Sequence, residues 1–230
     1  MSAGPRSWQQ ASRYGRSQKY RQRTQNVDLL FEEAASVNNA FFQLVEDKIL
    51  AASQLFSGEL VGGPVKRPDR AFQKVVRKYH RDTRCLTDLV RCCIILPSIE
   101  SVRQCLEVIR SKSVVGSLPS HGEGERLMLM AGTIEEAKSE QIFKLVKIQD
   151  KFTGDQKDGY RYINLNVEVA WTIASESEDV LDFVSAYDDW DKSTIRTHIC
   201  EIQLVLDSFY VLKMTGCHEN FVAARNLLAK

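Results

Sequence analysis

The sequence predicts an α/β fold, on three observations. Apolar residues recur at helical spacing from Val27 to Phe56, a compact β-branched run fills Leu89 to Leu96, and three later segments alternate apolar and polar residues with the period of a strand. At 230 residues and 43% hydrophobic content the chain can bury one real core, so a single catalytic-size domain is expected.

Taken in order, residues 1–24 carry Arg6, Arg13, Arg16, Lys19, Arg21 and Arg23 without one acidic residue. Their polar composition offers little apolar surface to bury, so they read as a disordered basic tail, with the folded domain spanning 25–230. The acid-free, Arg- and Ser-rich start shares part of a mitochondrial transit signature but lacks its apolar helix face. No secretory apolar region and no run of 18 apolar residues occurs, so a cytoplasmic protein with no membrane span is expected.

The segment Val27 to Phe56 predicts one long amphipathic helix or two broken ones, through Leu29, Leu30, Phe31, Ala34, Val37, Phe41, Leu44, Val45, Ile49 and Leu55. Gly58 to Pro64 reads as a loop because of Gly62-Gly63-Pro64, and Pro68 suits the first turn of a helix running to about Tyr79. Leu89 to Leu96 has the composition of a central strand covered on both faces. Ser98 then caps a helix whose face is Val102, Leu106 and Ile109, and Ser111 to Gly124 reads as a loop.

Lys144 to Gln149, Tyr162 to Val169 and His198 to Leu204 alternate as strands with one wetter face. The acidic stretch Glu176 to Lys192 reads as an excursion between two paired strands, and the chain from about Val205 to Lys230 as helical with a break at Gly216. No internal repeat is evident.

With 31 basic and 30 acidic side chains the net charge is +1, which excludes a global field of the kind that drives nucleic-acid or membrane association. Charge arguments must be local. Cys85, Cys92, Cys93, Cys105, Cys200 and Cys217 form no C-x-x-C pair, and they read as free thiols in a reducing compartment rather than a metal cage.

Three local features carry chemistry. Lys66, Arg70, Lys74, Arg77 and Lys78 recur at three- and four-residue spacing, which gathers cations on one helix face suited to a polyphosphate; a solvated surface stripe would look the same. Asp88 precedes the central strand, and Glu201 sits between hydrophobic residues on a later one. A carboxylate on a buried strand is costly to keep ionised without compensation, and if the strands are neighbours the two could share Mg²⁺. Finally, Lys147 to Val167 places a polar loop between two strands, with Gly159-Tyr160 opening the second. Tyr160 would offer its ring to a nucleobase or to ordinary sheet packing.

Together, K-x-x-x-R-x-x-x-K at Lys66, Arg70 and Lys74, D-L-V-R at Asp88 to Arg91, D-K-F at Asp150 to Phe152, G-Y-R at Gly159 to Arg161 and E-I-Q-L at Glu201 to Leu204 resemble the synthetase domain of RelA/SpoT-like alarmone enzymes, in the family's order. The resemblance runs from about Lys66 to Arg225. It implies a mixed β-sheet flanked by helices, of the nucleotidyltransferase type, that moves pyrophosphate from ATP to the 3′-hydroxyl of a guanine nucleotide.

On that resemblance Asp88 and Glu201 would bind Mg²⁺ and carry catalysis. Lys66, Arg70 and Lys74 would hold ATP phosphates, with Arg91, Lys151, Arg161 and Gln203 as further nucleotide-binding residues from the matching motifs, and Tyr160 would stack on the acceptor base. The chain departs from the family in having Asn164 where alarmone synthetases usually have His, and Tyr162 where many relatives have an acidic residue. No His-Asp hydrolase pair occurs, because His80, His121, His198 and His218 are followed by Arg81, Gly122, Ile199 and Glu219. The competing expectations are a nucleotide-sensing or protein-interaction module that has lost its chemistry, and, less favoured by the near-neutral charge, an RNA-binding surface.

Overall fold

The computed structural model describes residues 20–51, 54–113, 142–153, 160–172 and 195–217. Helix α1, Val27–Val45, starts where the Asn26 side chain accepts from the N–H groups of Asp28 and Leu29, which supplies partners to otherwise orphaned donors. It runs on without interruption through a π-helical turn, Glu46–Leu50, so the single-helix reading of this region holds as far as Leu50.

The segment expected as a loop contains strand β1, Glu59–Gly62, paired antiparallel with strand β2, Arg91–Leu96. The glycine signal has another cause here. A Cβ on Gly62 would come within 2.7 Å of the Phe42 ring, so the residue permits close approach of β1 to α1 rather than a turn.

Helix α2, Pro68–Lys78, begins with its proline in the first turn and buries only Ala71 and Val75. His80 and Arg81 follow with φ of 49° and 68°, a left-handed pair that reverses the chain toward Asp88. Helix α3, Ile99–Lys112, is capped by Ser98, whose Oγ accepts from the Ser101 N–H at 3.1 Å. The remaining elements are strands β3, Ile142–Asp150, β4, Tyr162–Thr172, and β5, Ile195–Leu206, then helix α4, Asp207–Leu212, which passes into a π turn, Lys213–Cys217. The excursion expected at Glu176 to Lys192, most of the Ser111 to Gly124 loop, the final helical stretch after Cys217 and residues 1–19 lie outside the described residues.

The five strands form one mixed sheet in the order β1-β2-β5-β4-β3, with β2 and β5 parallel and every other pair antiparallel. One face carries the core: Cys92, Ile94 and Leu96 of β2, Cys200, Ile202 and Leu204 of β5, and Leu165, Val167 and Val169 of β4 meet Leu30, Val37 and Phe41 of α1 and Val102, Cys105 and Ile109 of α3. Each such fully buried aliphatic or aromatic side chain contributes about 1.5–3 kcal/mol, enough to set the strand register firmly.

Gln22, expected in the disordered tail, is 3% exposed and hydrogen-bonded into the sheet, because its amide finds backbone partners that a composition argument cannot anticipate.

Candidate functional site

With side chains alternating along each strand, the face opposite the core is defined by register. Arg91 of β2 lies beside Glu201 of β5, Glu201 beside Asn166 of β4, and Asn166 beside Lys147 of β3. The next row is Cys93, Gln203, Asn164 and Gln149. This grid is polar across four strands.

Lys147 reaches it through a local irregularity. The register of β3 against β4 shifts between Leu145 and Lys147, inserting one residue, so Lys147 joins the polar rows instead of following Leu145 onto the core side. Without that bulge the ammonium group would point toward apolar packing.

Glu201 is 8% exposed, and each of its carboxylate oxygens accepts an amide hydrogen: Oε2 from Asn164 Nδ2 at 3.0 Å and Oε1 from Gln203 Nε2 at 2.6 Å. Two neutral donors compensate part of the cost of burying the charge and fix its orientation. Gln203 Oε1 in turn accepts from Cys93 Sγ at 3.6 Å. Asn164, the residue that departs from the family pattern, thus positions the carboxylate.

Asp88 is 6% exposed and sits just before β2. Its Oδ2 accepts from both Lys66 Nζ and Lys74 Nζ, the latter at 2.6 Å. Burial alone would raise its pKa, but Lys74 and Lys66 outweigh that and hold the carboxyl below the ordinary aspartate range. Burial likewise disfavours the charge on Lys74, yet Asp88 and Tyr79 more than reverse it and its pKa is raised. For Lys66 burial prevails, with Asp88 restoring only part of the loss. Asp88 belongs to the polar side, since Asn166 Nδ2 donates to the carbonyl and hydroxyl oxygens of the adjacent Thr87 at 3.4 and 3.3 Å.

Cations accumulate around this centre. Lys78, on the solvent side of α2, is lowered by partial desolvation and by the charges of Lys74 and Lys151; Lys147 is lowered by burial and by Lys151. Five ammonium groups, those of Lys66, Lys74, Lys78, Lys147 and Lys151, therefore share a region whose carboxylates, among the described residues, are Asp88 and Glu201. Such a surplus is relieved by a polyanion. Arg91, exposed on its strand, adds charge beside Lys66.

The other expected residues divide. Arg70 lies one turn before Lys74 but is exposed and makes no ion pair with Asp88. Lys151 is in the cation cluster, and its N–H donates to the Tyr162 carbonyl at 2.9 Å. Tyr160 is half-buried, its ring centroid 5.0 Å from that of Tyr162, with Lys213 Nζ 5.1 Å from the ring centre. Arg161 is half-buried, and its Nη1 has no hydrogen-bond partner among the described residues. Gly159 lies outside the described residues.

Sequence reasoning did not assign Lys147, Asn166 or Lys213 to the site. The alternation in Lys144 to Gln149 marked a strand, but the bulge that turns Lys147 to the polar face leaves no compositional signal.

The fit of a hard divalent cation can be judged from the donors present. Asp88 Oδ1 is buried and has no hydrogen-bond partner among the described residues, an orphaned acceptor that a cation would satisfy. Among the described residues no group of three or more His, Cys, Asp or Glu side chains could hold a metal ion. Two carboxylates with substrate phosphate and water completing the shell is the pattern that suits Mg²⁺, so the residues fit.

No protein-family model matches the chain, and no curated protein does. Solved structures do resemble it. The mixed five-stranded sheet with its helices is similar to the RelA/SpoT-type synthetase fold. The small alarmone synthetase 2 of Bacillus subtilis superposes with a TM-score of 0.51 at 13% identity, covering 86% of this chain and 79% of that one. The small alarmone synthetase 1 of the same organism, bound to its product pppGpp, gives a TM-score of 0.49 at 12% identity, covering 84% and 78%. A GTP pyrophosphokinase family protein of Streptococcus pneumoniae gives 0.48 at 12%, covering 85% and 74%. At these identities the likeness is one of fold.

Proposed function

We propose that this domain transfers pyrophosphate from ATP to the 3′-hydroxyl of a guanine nucleotide or a related acceptor, with Mg²⁺. The observation that supports it most is the surplus of lysine charge beside two buried carboxylates on the open polar face. A triphosphate is the ligand that such a surplus suits, and the fold shared with an alarmone synthetase gives the chemistry to test.

In this reading Lys66, Lys74, Lys78, Lys147 and Lys151 bind the phosphates, with Arg70 able to swing in from the solvent side of α2. The acceptor 3′-oxygen attacks the β-phosphorus of ATP, the bond to the α-phosphate oxygen breaks, and AMP leaves. Glu201, held by Asn164 and Gln203, takes the hydroxyl proton. Tyr160 receives the acceptor base, and Lys213 must move from its ring for stacking on that face. Bound Mg²⁺, held by Asp88 and Glu201, would neutralise charge developing on the phosphates. A cytoplasmic setting accords with the supply of ATP. Among the described residues no helix is long and apolar enough to cross a membrane.

A second reading, a nucleotide-sensing module without transfer, is favoured by one feature: Asp88 Oδ2 is already neutralised by two lysines. Incubation with γ-labelled ATP, Mg²⁺ and each of GDP, GTP, ATP or tRNA separates the two. Label on an acceptor, absent in Glu201→Gln, is the expected result. Tight nucleotide binding with no labelled product from any acceptor leaves the sensing module.

A further inference from the structure

One buried side chain links the two segments that carry the acidic residues. Gln22 Nε2 donates to the Leu86 carbonyl at 2.9 Å and to the Ile199 carbonyl at 3.0 Å, and Gln22 Oε1 accepts from the Ile199 N–H at 2.9 Å. Leu86 lies two residues before Asp88, and Ile199 two residues before Glu201. The Gln22 N–H donates to the Arg84 carbonyl at 2.8 Å.

The location explains the pattern. Strand β2 first pairs with β5 at Arg91 and Glu201, so the backbone of Ile199 lies just beyond the ladder. The glutamine amide, with a donor and an acceptor at the spacing of a peptide group, continues the ladder there and joins it to the Asp88 segment. His198, fully buried, adds a third contact: its Nε2 lies 3.2 Å from Gln22 Nε2, and its Nδ1 lies 3.4 Å from Glu33 Oε2 on α1. In the Nδ1–H tautomer His198 donates to Glu33, and its Nε2 shares one of the two Gln22 amide hydrogens with a carbonyl. Flanking ion pairs, Arg21 to Asp82 at 2.7 Å and Arg23 to Glu168 at 3.8 Å, tie the same stretch to the turn before the Asp88 segment and to β4.

We propose that Gln22 is a positioning residue that fixes the distance between Asp88 and Glu201, so that residues 20–24 are a structural part of the site. The inference rests on the metal-holding role given to those carboxylates above. Replacing Gln22 by Ala leaves the Leu86 and Ile199 carbonyls and the Ile199 N–H without their partner, and frees the Asp88 segment to move relative to β5. The lysines that hold phosphate lie on α2, β3 and the adjoining loops, and Gln22 is hydrogen-bonded to none of them.

The test is Mn²⁺ binding, followed by electron paramagnetic resonance in the presence of ATP, on the full chain and on Gln22→Ala and Gln22→Asn. Hydrogen exchange of segments 84–90 and 199–203 is measured alongside. In Gln22→Ala the Mn²⁺ dissociation constant should rise about tenfold, with faster exchange confined to those segments and ATP affinity without metal within about twofold. Gln22→Asn, which keeps the amide but shortens its reach, should behave as the alanine variant does. Reversible unfolding would weaken Mn²⁺ binding and metal-free ATP binding by the same factor, so a shift confined to Mn²⁺ separates positioning from bulk destabilisation. Equal Mn²⁺ affinity in wild type and Gln22→Ala would overturn the proposal. A wild-type protein that binds ATP but no Mn²⁺ beyond that carried by ATP would instead defeat the metal reading on which it rests.

Discussion

Asp88 shows how a single side chain couples stability to site chemistry. Its carboxyl is held below the ordinary aspartate range by Lys74 and Lys66, so the stabilisation it supplies is complete above about pH 5 and is lost as pH falls through the folded-state value. Asp88→Asn leaves two buried ammonium groups facing each other, and should lower stability by about 3 kcal/mol at pH 7. Thermal denaturation should show that deficit shrinking as pH falls below about 5; a deficit independent of pH would mean the pairs contribute nothing. Glu201 makes a second prediction, because Asn164 and Gln203 each fill one of its oxygens. Asn164→Leu should reduce transfer at least tenfold with Mg-ATP affinity little changed, read as a fall in kcat at constant KM for ATP. Both carboxylates were legible in the sequence, Glu201 because a charge on an apolar strand needs an explanation. Their partners were not, since hydrogen bonds across 37 residues, as between Asn164 and Glu201, depend on register that no local pattern encodes.

At the level of elements, alternation and caps identified most of the strands and helices because each rests on a local rule: Ser98 caps α3, Pro68 opens α2, and period-two runs mark β3, β4 and β5. The failures came where tertiary contact overrode composition. Gly62 sits in a strand because Phe42 presses on it, and Gln22 is buried because the sheet leaves backbone groups for its amide. The β3 bulge is the clearest case of an element deciding function. Deleting Val146 would remove the extra residue and leave plain alternation, with Leu145 still opposite Val167 and Lys147 still opposite Asn166 on the polar side. The deletion variant should therefore keep ATP affinity within about twofold of the wild-type chain, whereas Lys147→Ala loses it; a loss in the deletion variant as large as in Lys147→Ala would show that register alone does not place the ammonium group.

Over the whole molecule, a net charge of +1 conceals a local surplus: five lysines gather around one polar sheet face whose carboxylates among the described residues are Asp88 and Glu201. Three of those lysines, Lys66, Lys78 and Lys147, have pKa values lowered by burial and by neighbouring lysines, so the cluster by itself works against folding at neutral pH. A polyanion relieves that strain. Inorganic tripolyphosphate should therefore raise the thermal midpoint by several degrees at low ionic strength, an effect that 0.5 M salt should largely abolish through screening. The most direct measurement of the central claim is calorimetric titration of Mg-ATP into the wild-type chain and into a Lys74→Ala, Lys147→Ala double variant. The two substitutions act on opposite sides of the site, from α2 and from β3. The account predicts saturable one-to-one binding weakened at least tenfold in the double variant, about 1.4 kcal/mol or more. Equal affinity in the two proteins would contradict it.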